Sequence, residues 1–153
     1  MGIEQDIRQN RFKSEYQKAT INILYTASCI QHGAQKVLAD YGLTLPQFNI
    51  LRILRGQYPR AIMVNQLIER MIDRSSNASR IVDKLVAKKL VNRTVCPADR
   101  RAVDVEITEA GLELLAKVDA VEDSFFIGIH SLNQEELVLL NQILDKSREK
   151  QAK

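Results

Sequence analysis

Five residues between positions 75 and 80 carry side chains that can exchange hydrogen bonds with the edges of nucleic-acid bases. They are Ser75, Ser76, Asn77, Ser79 and Arg80. Serine hydroxyls donate or accept, asparagine can pair two-pronged with adenine, and arginine can pair in the same way with guanine. Asn77 and Arg80 are the stronger base-reading candidates. The structural alternative is helix capping, which we expect of Ser75 or Ser76.

The charge distribution is consistent with a phosphate-binding surface beside these residues. The chain has 153 residues and a net charge of +3, but the window 74–101 holds eight Lys or Arg and two Asp. This window therefore carries +6 and the rest of the chain carries −3. A solvated charged face is the alternative reading. Lys84 and Arg93 are the further DNA-contact candidates within the window.

A helix-turn-helix is predicted around these residues. An amphipathic helix follows residues 73–77, and its apolar stripe is Ala78, Ile81, Val82, Leu85 and Val86. A short helix is predicted over residues 64–71. Before it, Thr44 or Leu45 lies at the cap of another helix, with Pro46 in its first turn. A short helix, a turn and a polar-faced helix place the second helix in a DNA groove.

A β-hairpin is predicted directly after this unit. Residues 90–96 and 102–108 have strand character, and the second segment alternates apolar and polar side chains. The loop between them carries Arg100 and Arg101, which we expect to reach phosphates or the neighbouring minor groove. A charged hairpin tip that merely avoids aggregation is the alternative. The hairpin makes the unit a winged helix-turn-helix.

Long helices flank this lobe on both sides. Helical periodicity spans residues 11–40, a second long helix opens at Thr108, and a last helix is capped by Asn133 with Glu136 at its third position. The predicted fold is mainly α with a small β-hairpin wing. We divide the chain into an N-terminal dimerisation helix at residues 1–42, a DNA-binding lobe at 43–110 and C-terminal dimerisation helices at 111–153. Terminal helices that flank one small lobe leave much apolar surface to cover, which favours a dimer interface, and intramolecular core is the alternative for the last helix.

The run from residue 45 to residue 111 resembles the MarR (multiple-antibiotic-resistance regulator) family. The matching segments are Leu45-Pro46-Gln47-Phe48, Ser79-Arg80-Ile81-Val82-Asp83-Lys84-Leu85, Lys88-Lys89-Leu90-Val91-Asn92-Arg93, Asp99-Arg100-Arg101 and Ile107-Thr108-Glu109-Ala110-Gly111. Each segment alone is weakly specific, whereas their order and spacing together are typical of the family. The likeness covers somewhat under half of the chain, and the flanking helices match by placement rather than by sequence.

The resemblance implies a homodimer that binds a pseudo-palindromic operator in double-stranded DNA and represses or activates transcription, often until a small ligand or thiol oxidation releases it. It also implies that Asp99 orients Arg101, the usual minor-groove contact. Repression is the expected sign. One departure is Lys89-Leu90 where the family commonly has glycine and leucine. If that turn needs a positive φ, Lys89 adopts it at a cost of about 1 kcal/mol or the turn is reshaped.

A ligand cleft is a further expectation from the resemblance, since the family often binds anionic aromatic molecules. Its candidate residues are Tyr25, His32, Phe48 and Arg52, and ordinary packing is the alternative for all four. Cys29 and Cys96 are too few for a disulfide framework. Cys29 is interpreted as a small buried hydrophobe. Cys96 lies at the wing edge, and a redox role is the alternative for both.

Other classes of function find little support in the sequence. It contains no nucleophile elbow, phosphate-binding loop, glycine-rich dinucleotide turn or zinc-type cluster, so we expect no enzyme, metal or cofactor. No apolar run approaches the roughly 20 residues of a membrane span, and no leader peptide is visible. The expected location is the cytoplasm, at the nucleoid of a bacterium or archaeon. The competing hypotheses are a nonspecific architectural DNA binder and a winged-helix protein-interaction module.

Overall fold

Seven α-helices and three short strands make up the parts of the chain that the structure describes. It is a computed structural model, and the described residues are 2–95, 103–121, 125 and 129–149. The mainly helical architecture with one small sheet confirms the predicted fold class. In chain order the elements are α1 (Ile3–Asp6), α2 (Glu15–Ala39), α3 (Leu45–Arg55), β1 (Ile62–Met63), α4 (Val64–Arg70), α5 (Ala78–Ala87), β2 (Val91–Val95), β3 (Val103–Ile107), α6 (Glu109–Asp119) and α7 (Gln134–Arg148).

Side-chain caps fix where four of the long helices begin. Each capping oxygen accepts the N–H of the residue three positions later, which satisfies a group that the helix leaves without a partner. The pairs are Ser14 with Gln17, Thr44 with Gln47, Thr108 with Gly111, and Asn133 with Glu136. The predicted starts at residues 44, 108 and 133 are confirmed. The first long helix begins later than predicted, because its cap is Ser14.

The sheet has one more strand than the sequence analysis predicted. The hairpin of β2 and β3 is confirmed, with Val91 paired to Ile107 and Val95 to Val103. A third strand, β1, pairs antiparallel to the other edge of β3 through Ile62 and Met63. Two residues give no alternation to detect, so this strand exists only because β3 lies beside it. It fixes the start of α4 against the wing.

The core lies between α3, α4, α5 and the sheet, and extends to the end of α2 and to α6. The helix α5 packs on one side against α3, α4 and β2, which leaves its other side at the surface. Gly42, at φ +66°, closes the end of α2 and turns the chain into α3. Fully buried side chains of this core include Leu38, Leu51, Leu54, Leu67, Val82, Leu85, Val105 and Leu115.

The helices α2 and α7 keep large apolar side chains at the surface. Tyr16 and Leu24 of α2 are 88% and 66% exposed, and Leu139 of α7 is 56% exposed. The described side chains of α7 include none that is buried. Even so, none of the helices in the described ranges is long and apolar enough to cross a membrane. This apolar surface lies on the two elements predicted to form a dimer.

Candidate nucleic-acid interface

The helix α5 presents a polar face that its packing leaves free. Ala78, Val82 and Leu85 are buried on one side, whereas Ser79, Arg80 and Lys84 are exposed on the other. An amphipathic helix with a deeply buried stripe cannot rotate about its axis without exposing that stripe. The three polar side chains therefore face solvent together, as the sequence analysis predicted.

The turn before α5 is organised by one carboxylate. Asp73 accepts hydrogen bonds from the Ser75 backbone N–H at 2.9 Å, the Ser75 hydroxyl at 2.5 Å and the Ser76 hydroxyl at 2.9 Å. These donors, first the two hydroxyls, hold the pKa of Asp73 below its usual value of 3.8. An aspartate that bonds the backbone two residues ahead is the usual Asx turn, and the Asp73-x-Ser75 spacing is its sequence signal. The sequence analysis treated Asp73 only as part of a helix boundary.

Asn77, and neither serine, caps α5. Its side-chain oxygen accepts the backbone N–H of Arg80 at 3.0 Å. The expected capping role of Ser75 or Ser76 is therefore wrong, because both hydroxyls are held by Asp73. The helix begins at Ala78, directly after the predicted boundary at residues 73–77. While Asn77 caps, the oxygen needed for a two-pronged contact with adenine is already engaged.

Arg93 joins the wing to the exposed face of α5. Its guanidinium lies 2.5 Å from the Asp83 carboxylate, so the pair links β2 to the middle of α5. Both side chains remain at least 40% exposed, which leaves other guanidinium donors accessible to solvent. The wing-tip predictions fall on Asp99, Arg100, Arg101 and Cys96, and all four lie outside the described residues.

The C-terminal end of α5 is anchored through Lys88 to the start of α3 and to the turn before it. The Lys88 ammonium donates to the Gly42 carbonyl and, at 3.2 Å, to the Gln47 side-chain oxygen. Gln47 is only 4% exposed and forms the capping box of α3 with Thr44. Lys88 contributes to the basic window in sequence, but in the fold it positions the helix.

Lys89, which stands where the family commonly has glycine, adopts the left-handed backbone conformation. Its φ is +60°, a region where a side chain costs about 1 kcal/mol relative to glycine. The neighbourhood holds it there, because the Lys89 carbonyl accepts from the Thr108 hydroxyl at 2.9 Å. Directly beyond, Gly111 packs so closely on the Leu90 carbonyl that a Cβ would lie 2.5 Å from that oxygen.

A cavity of about 720 Å³ lies between α2, α3 and the chain at residues 71–73. Its wall includes three of the four predicted cleft residues, His32, Phe48 and Arg52. The Arg52 guanidinium lies 5.7 Å from the centre of the Phe48 ring, and Phe125 meets that ring edge-on at 5.6 Å. These groups give the cavity an aromatic wall beside a cation.

Two polar residues that sequence reasoning did not single out also line this cavity. Asn49 accepts the Ile72 N–H at 3.0 Å, and Asp73 holds the serines of the turn. Both side chains therefore belong to the cavity wall and to the support of the segment before α5. Asn49 occupies an ordinary position on α3, and only the fold brings it to residue 72.

Tyr25, the fourth predicted cleft residue, does not line this cavity. It lies beside Cys29 on α2, and this thiol, followed by the Asp6 carboxyl, raises the pKa of Tyr25 above its usual value. Cys29 is an exposed free thiol in the single chain, so it does not belong to the chain's own core as its interpretation as a small buried hydrophobe expected. The reason is that its face of α2 is among those that the described chain leaves uncovered.

The arrangement found here matches a known family across the whole helix-turn-helix and into the wing. Residues 43–103 match the model of the MarR family. A relative at 29% identity over 116 residues is the HTH-type transcriptional regulator MhqR of Bacillus subtilis, and the match covers 72% of this chain and 76% of that one. Residues 43–103 are therefore a MarR-family domain, and most of the chain is similar to transcriptional regulators of that family.

Solved structures of MarR-family regulators extend the likeness beyond the DNA-binding lobe. Bordetella bronchiseptica BpsR, whose DNA binding is regulated by 6-hydroxynicotinic acid, is 26% identical with a TM-score of 0.71 over 86% of this chain and 98% of its own. A mutant MarR from E. coli complexed with operator DNA has a TM-score of 0.78, over 92% of this chain and 100% of its own. At 22% identity, the latter likeness concerns the fold.

Proposed function

We propose that this MarR-family chain is a sequence-specific double-stranded DNA-binding regulator, a homodimer that represses transcription from a pseudo-palindromic operator. The observation that carries the proposal is the exposed row of Ser79, Arg80 and Lys84 on a helix whose other face is buried. A helix fits the B-form major groove, where arginine can read guanine and lysine can neutralise phosphates. The E. coli MarR complex with operator DNA, which has the same fold, supports this use of the lobe.

The contacts divide by chemistry. We assign base reading to the serines of the turn and to Arg80, because these side chains lie at the N-terminal end of α5, the part of such helices that reaches base edges. Lys84 and Arg93 serve phosphates. Arg93 holds Asp83 in the absence of DNA, and a DNA phosphate can share its remaining donors. We assign no catalytic role to the chain, because the relatives named above are regulators.

The homodimer is supported by the uncovered apolar surface of α2 and α7. Single exposed apolar side chains are ordinary, whereas several large ones on each of two helices favour an interface. Two copies joined by a two-fold axis would bury this surface and place two α5 helices roughly 34 Å apart, one turn of the duplex. That geometry predicts an inverted repeat as the operator. In a living cell we place the dimer at the nucleoid in the cytoplasm.

The cavity supports release by a small anionic aromatic molecule. Its volume suits a ligand of that size, and Arg52 and His32 provide groups that can meet an anion. BpsR, whose DNA binding responds to 6-hydroxynicotinic acid, is a precedent within the same fold. A ligand in the cavity would meet Asn49 and Asp73 directly. Since these residues hold segment 72–76, occupancy can alter the reading end of α5 without an intermediary.

Selection of bound duplexes from a random pool, followed by affinity measurements against salt concentration, tests the proposal. An enriched inverted repeat with a steep salt slope is the expected result. Salt-sensitive binding without any enriched sequence would instead establish an architectural DNA binder. Failure to bind at every salt concentration would favour a protein-interaction module. A matched Ser79→Ala and Arg80→Ala pair should relax the selected sequence, whereas Glu113→Ala on α6 should leave it unchanged.

The wing adds a separate prediction for Arg101. If it enters the minor groove, Arg101→Ala weakens specific binding by about 1–3 kcal/mol. Arg100→Ala, assigned to phosphates, should weaken specific and nonspecific binding alike and lower the salt slope by about one. Titration of labelled operator and of unrelated duplex separates these two patterns. No change in either variant would remove the wing tip from the interface.

A further inference from the structure

The hydrogen bonds around Asp73 fix the direction in which two serines can bond to DNA. Asp73 is ionised at neutral pH, and an ionised carboxylate has no proton to donate. The Ser75 and Ser76 hydroxyls lie 2.5 and 2.9 Å from its two oxygens, so each hydroxyl must be the donor. Each hydroxyl has one proton, and that proton is already committed.

What remains on each serine is an acceptor. A hydroxyl oxygen whose proton points at Asp73 still has lone pairs, and these can accept from a partner on the other side. In the major groove the donors are the amino groups at N6 of adenine and N4 of cytosine. Guanine O6 and N7, thymine O4 and the phosphate oxygens are acceptors, and an acceptor cannot bond to another acceptor.

We propose that Asp73 is a specificity-determining positioning residue that sets Ser75 and Ser76 to accept hydrogen bonds from amino-bearing bases, adenine or cytosine. This inference rests on the proposed sequence-specific function and extends it. Without Asp73 the same hydroxyls would rotate, donate to phosphates or to guanine and thymine, and lose their discrimination. Asp73 acts through the serines and touches no base in this scheme. Ser79, the second residue of α5, makes no hydrogen bond with Asp73, so its hydroxyl is not fixed as a donor in this way.

Base analogues in the selected operator show whether the base donates or accepts in its hydrogen bond with Ser75 or Ser76. Purine in place of adenine removes the N6 amino donor, and 7-deazaadenine keeps that donor but removes the N7 acceptor. The equivalent change at cytosine uses 2-pyrimidinone, which lacks the N4 amino group. For one adenine or cytosine in each half-site, removing the amino group should weaken the wild-type complex about fivefold, the worth of one neutral hydrogen bond. At an adenine read in this way, 7-deazaadenine should cost less than twofold.

Asp73→Asn has nearly the same shape, but its amide nitrogen cannot accept, so one of the two hydroxyls loses its partner while the other can keep it. Asp73→Ala removes both acceptors and is the decisive variant, and in it the amino-group penalty should fall below twofold whichever serine contacts the base. Asp119→Asn is the matched control, since it makes the same charge change on α6 and should keep the fivefold penalty. A Ser75→Ala and Ser76→Ala double variant removes the acceptors and should also abolish the penalty. It provides the test if Asp73→Ala does not fold.

The possible failures are distinct. If the wild-type protein enriches no sequence, the proposed function itself is wrong and the role of Asp73 falls with it. If a sequence is enriched but no adenine or cytosine shows an amino-group penalty, only the assignment of the serines is wrong. If the penalty is present and survives in both Asp73→Asn and Asp73→Ala, the serines accept from the base without any help from Asp73.

Discussion

The two ends of α5 are held in opposite ways. At the N-terminal end, the turn of residues 72–77 is exposed for the most part, and hydrogen bonds to Asp73, Asn77 and Asn49 organise it. At the C-terminal end, Leu85 and Leu90 are buried, and the chain passes directly under the first turn of α6. The helix is therefore fixed by packing at one end and by solvent-accessible polar contacts at the other.

This difference separates stability from recognition. Buried apolar contacts are not screened by salt and have no polar group to exchange with DNA or a ligand, so the C-terminal end can serve as a fixed support. Exposed hydrogen bonds exchange readily with water, DNA or a molecule in the adjacent cavity, each at a net cost of about 1 kcal/mol. Substitutions at the packed end should therefore affect stability most, and those at the polar end should affect mainly DNA reading.

The largest effect on stability is expected at Gly111. A Cβ there would lie 2.5 Å from the Leu90 carbonyl oxygen and 2.6 Å from the Ile107 side chain, so backbone must move. We expect Gly111→Ala to lower the free energy of unfolding by about 1–3 kcal/mol, despite the better helix propensity of alanine. Urea unfolding at fixed protein concentration measures this. Glu113→Ala, exposed on the same helix, should change it by less than about 0.5 kcal/mol.

Asn77→Ala should have the next largest effect. Loss of the cap should lower the free energy of unfolding by about 1 kcal/mol. Asn77→Asp keeps an acceptor for the Arg80 N–H and adds a negative charge at a helix N-terminus, so it should remain near the wild type. Urea unfolding of the Asn77 and Ser76 variants shows which of the two side chains caps α5. If Ser76→Ala costs more than Asn77→Ala, the capping assignment is wrong.

Lys89→Gly should raise stability, in contrast to the two losses above. Glycine at φ +60° has no Cβ to strain, and the expected gain is about 0.5–1 kcal/mol after its greater freedom in the unfolded chain is allowed for. Lys89→Ala removes the charge and keeps the Cβ, so it separates strain from electrostatics. Equal stabilisation in both variants would show that charge, and not backbone strain, is responsible.

The smallest effect concerns acid. Because the folded-state pKa of Asp73 lies below its unfolded value near 3.8, its contribution to stability is present above that pH. It is lost as the pH falls through the lowered folded-state value. The Tm difference between wild type and Asp73→Asn should therefore be constant from pH 7 to about pH 5 and shrink below pH 3.8. A difference that begins to shrink already at pH 6 would implicate another group.

Local chemistry made much of the fold predictable. Thr44, Thr108 and Asn133 cap helices because each side-chain oxygen accepts the backbone N–H three residues later, a bond that needs no contact with the rest of the chain. Competition between neighbours was harder to predict. Ser75, Ser76 and Asn77 are all good caps, and the choice went to Asn77 because Asp73 engages both serines.

Part of the candidate site was predicted because it also depends on local sequence. The exposed face of α5 follows from helical periodicity, so Arg80 and Lys84 lie where the sequence placed them. The cavity joins residues far apart in the chain, and Asn49 and Asp73 gave no separate signal for it. Tyr25 and His32 are seven residues apart and share a face of α2, but about two helical turns separate them along the axis, and only His32 lines the cavity.

The sequence by itself determined the order of the long helices and the hairpin, the caps at Thr44, Thr108 and Asn133, the polar face of α5 and the family resemblance, because these depend on contacts within a few residues or on motif spacing. Only the tertiary structure decided what pairs across the chain. It added β1 to the sheet, turned Lys88 inward onto Gln47 and brought Asn49 to the turn before α5. These contacts join residues that are far apart in the sequence. They form only when the packing of the whole core brings the residues together, so no local pattern predicts them.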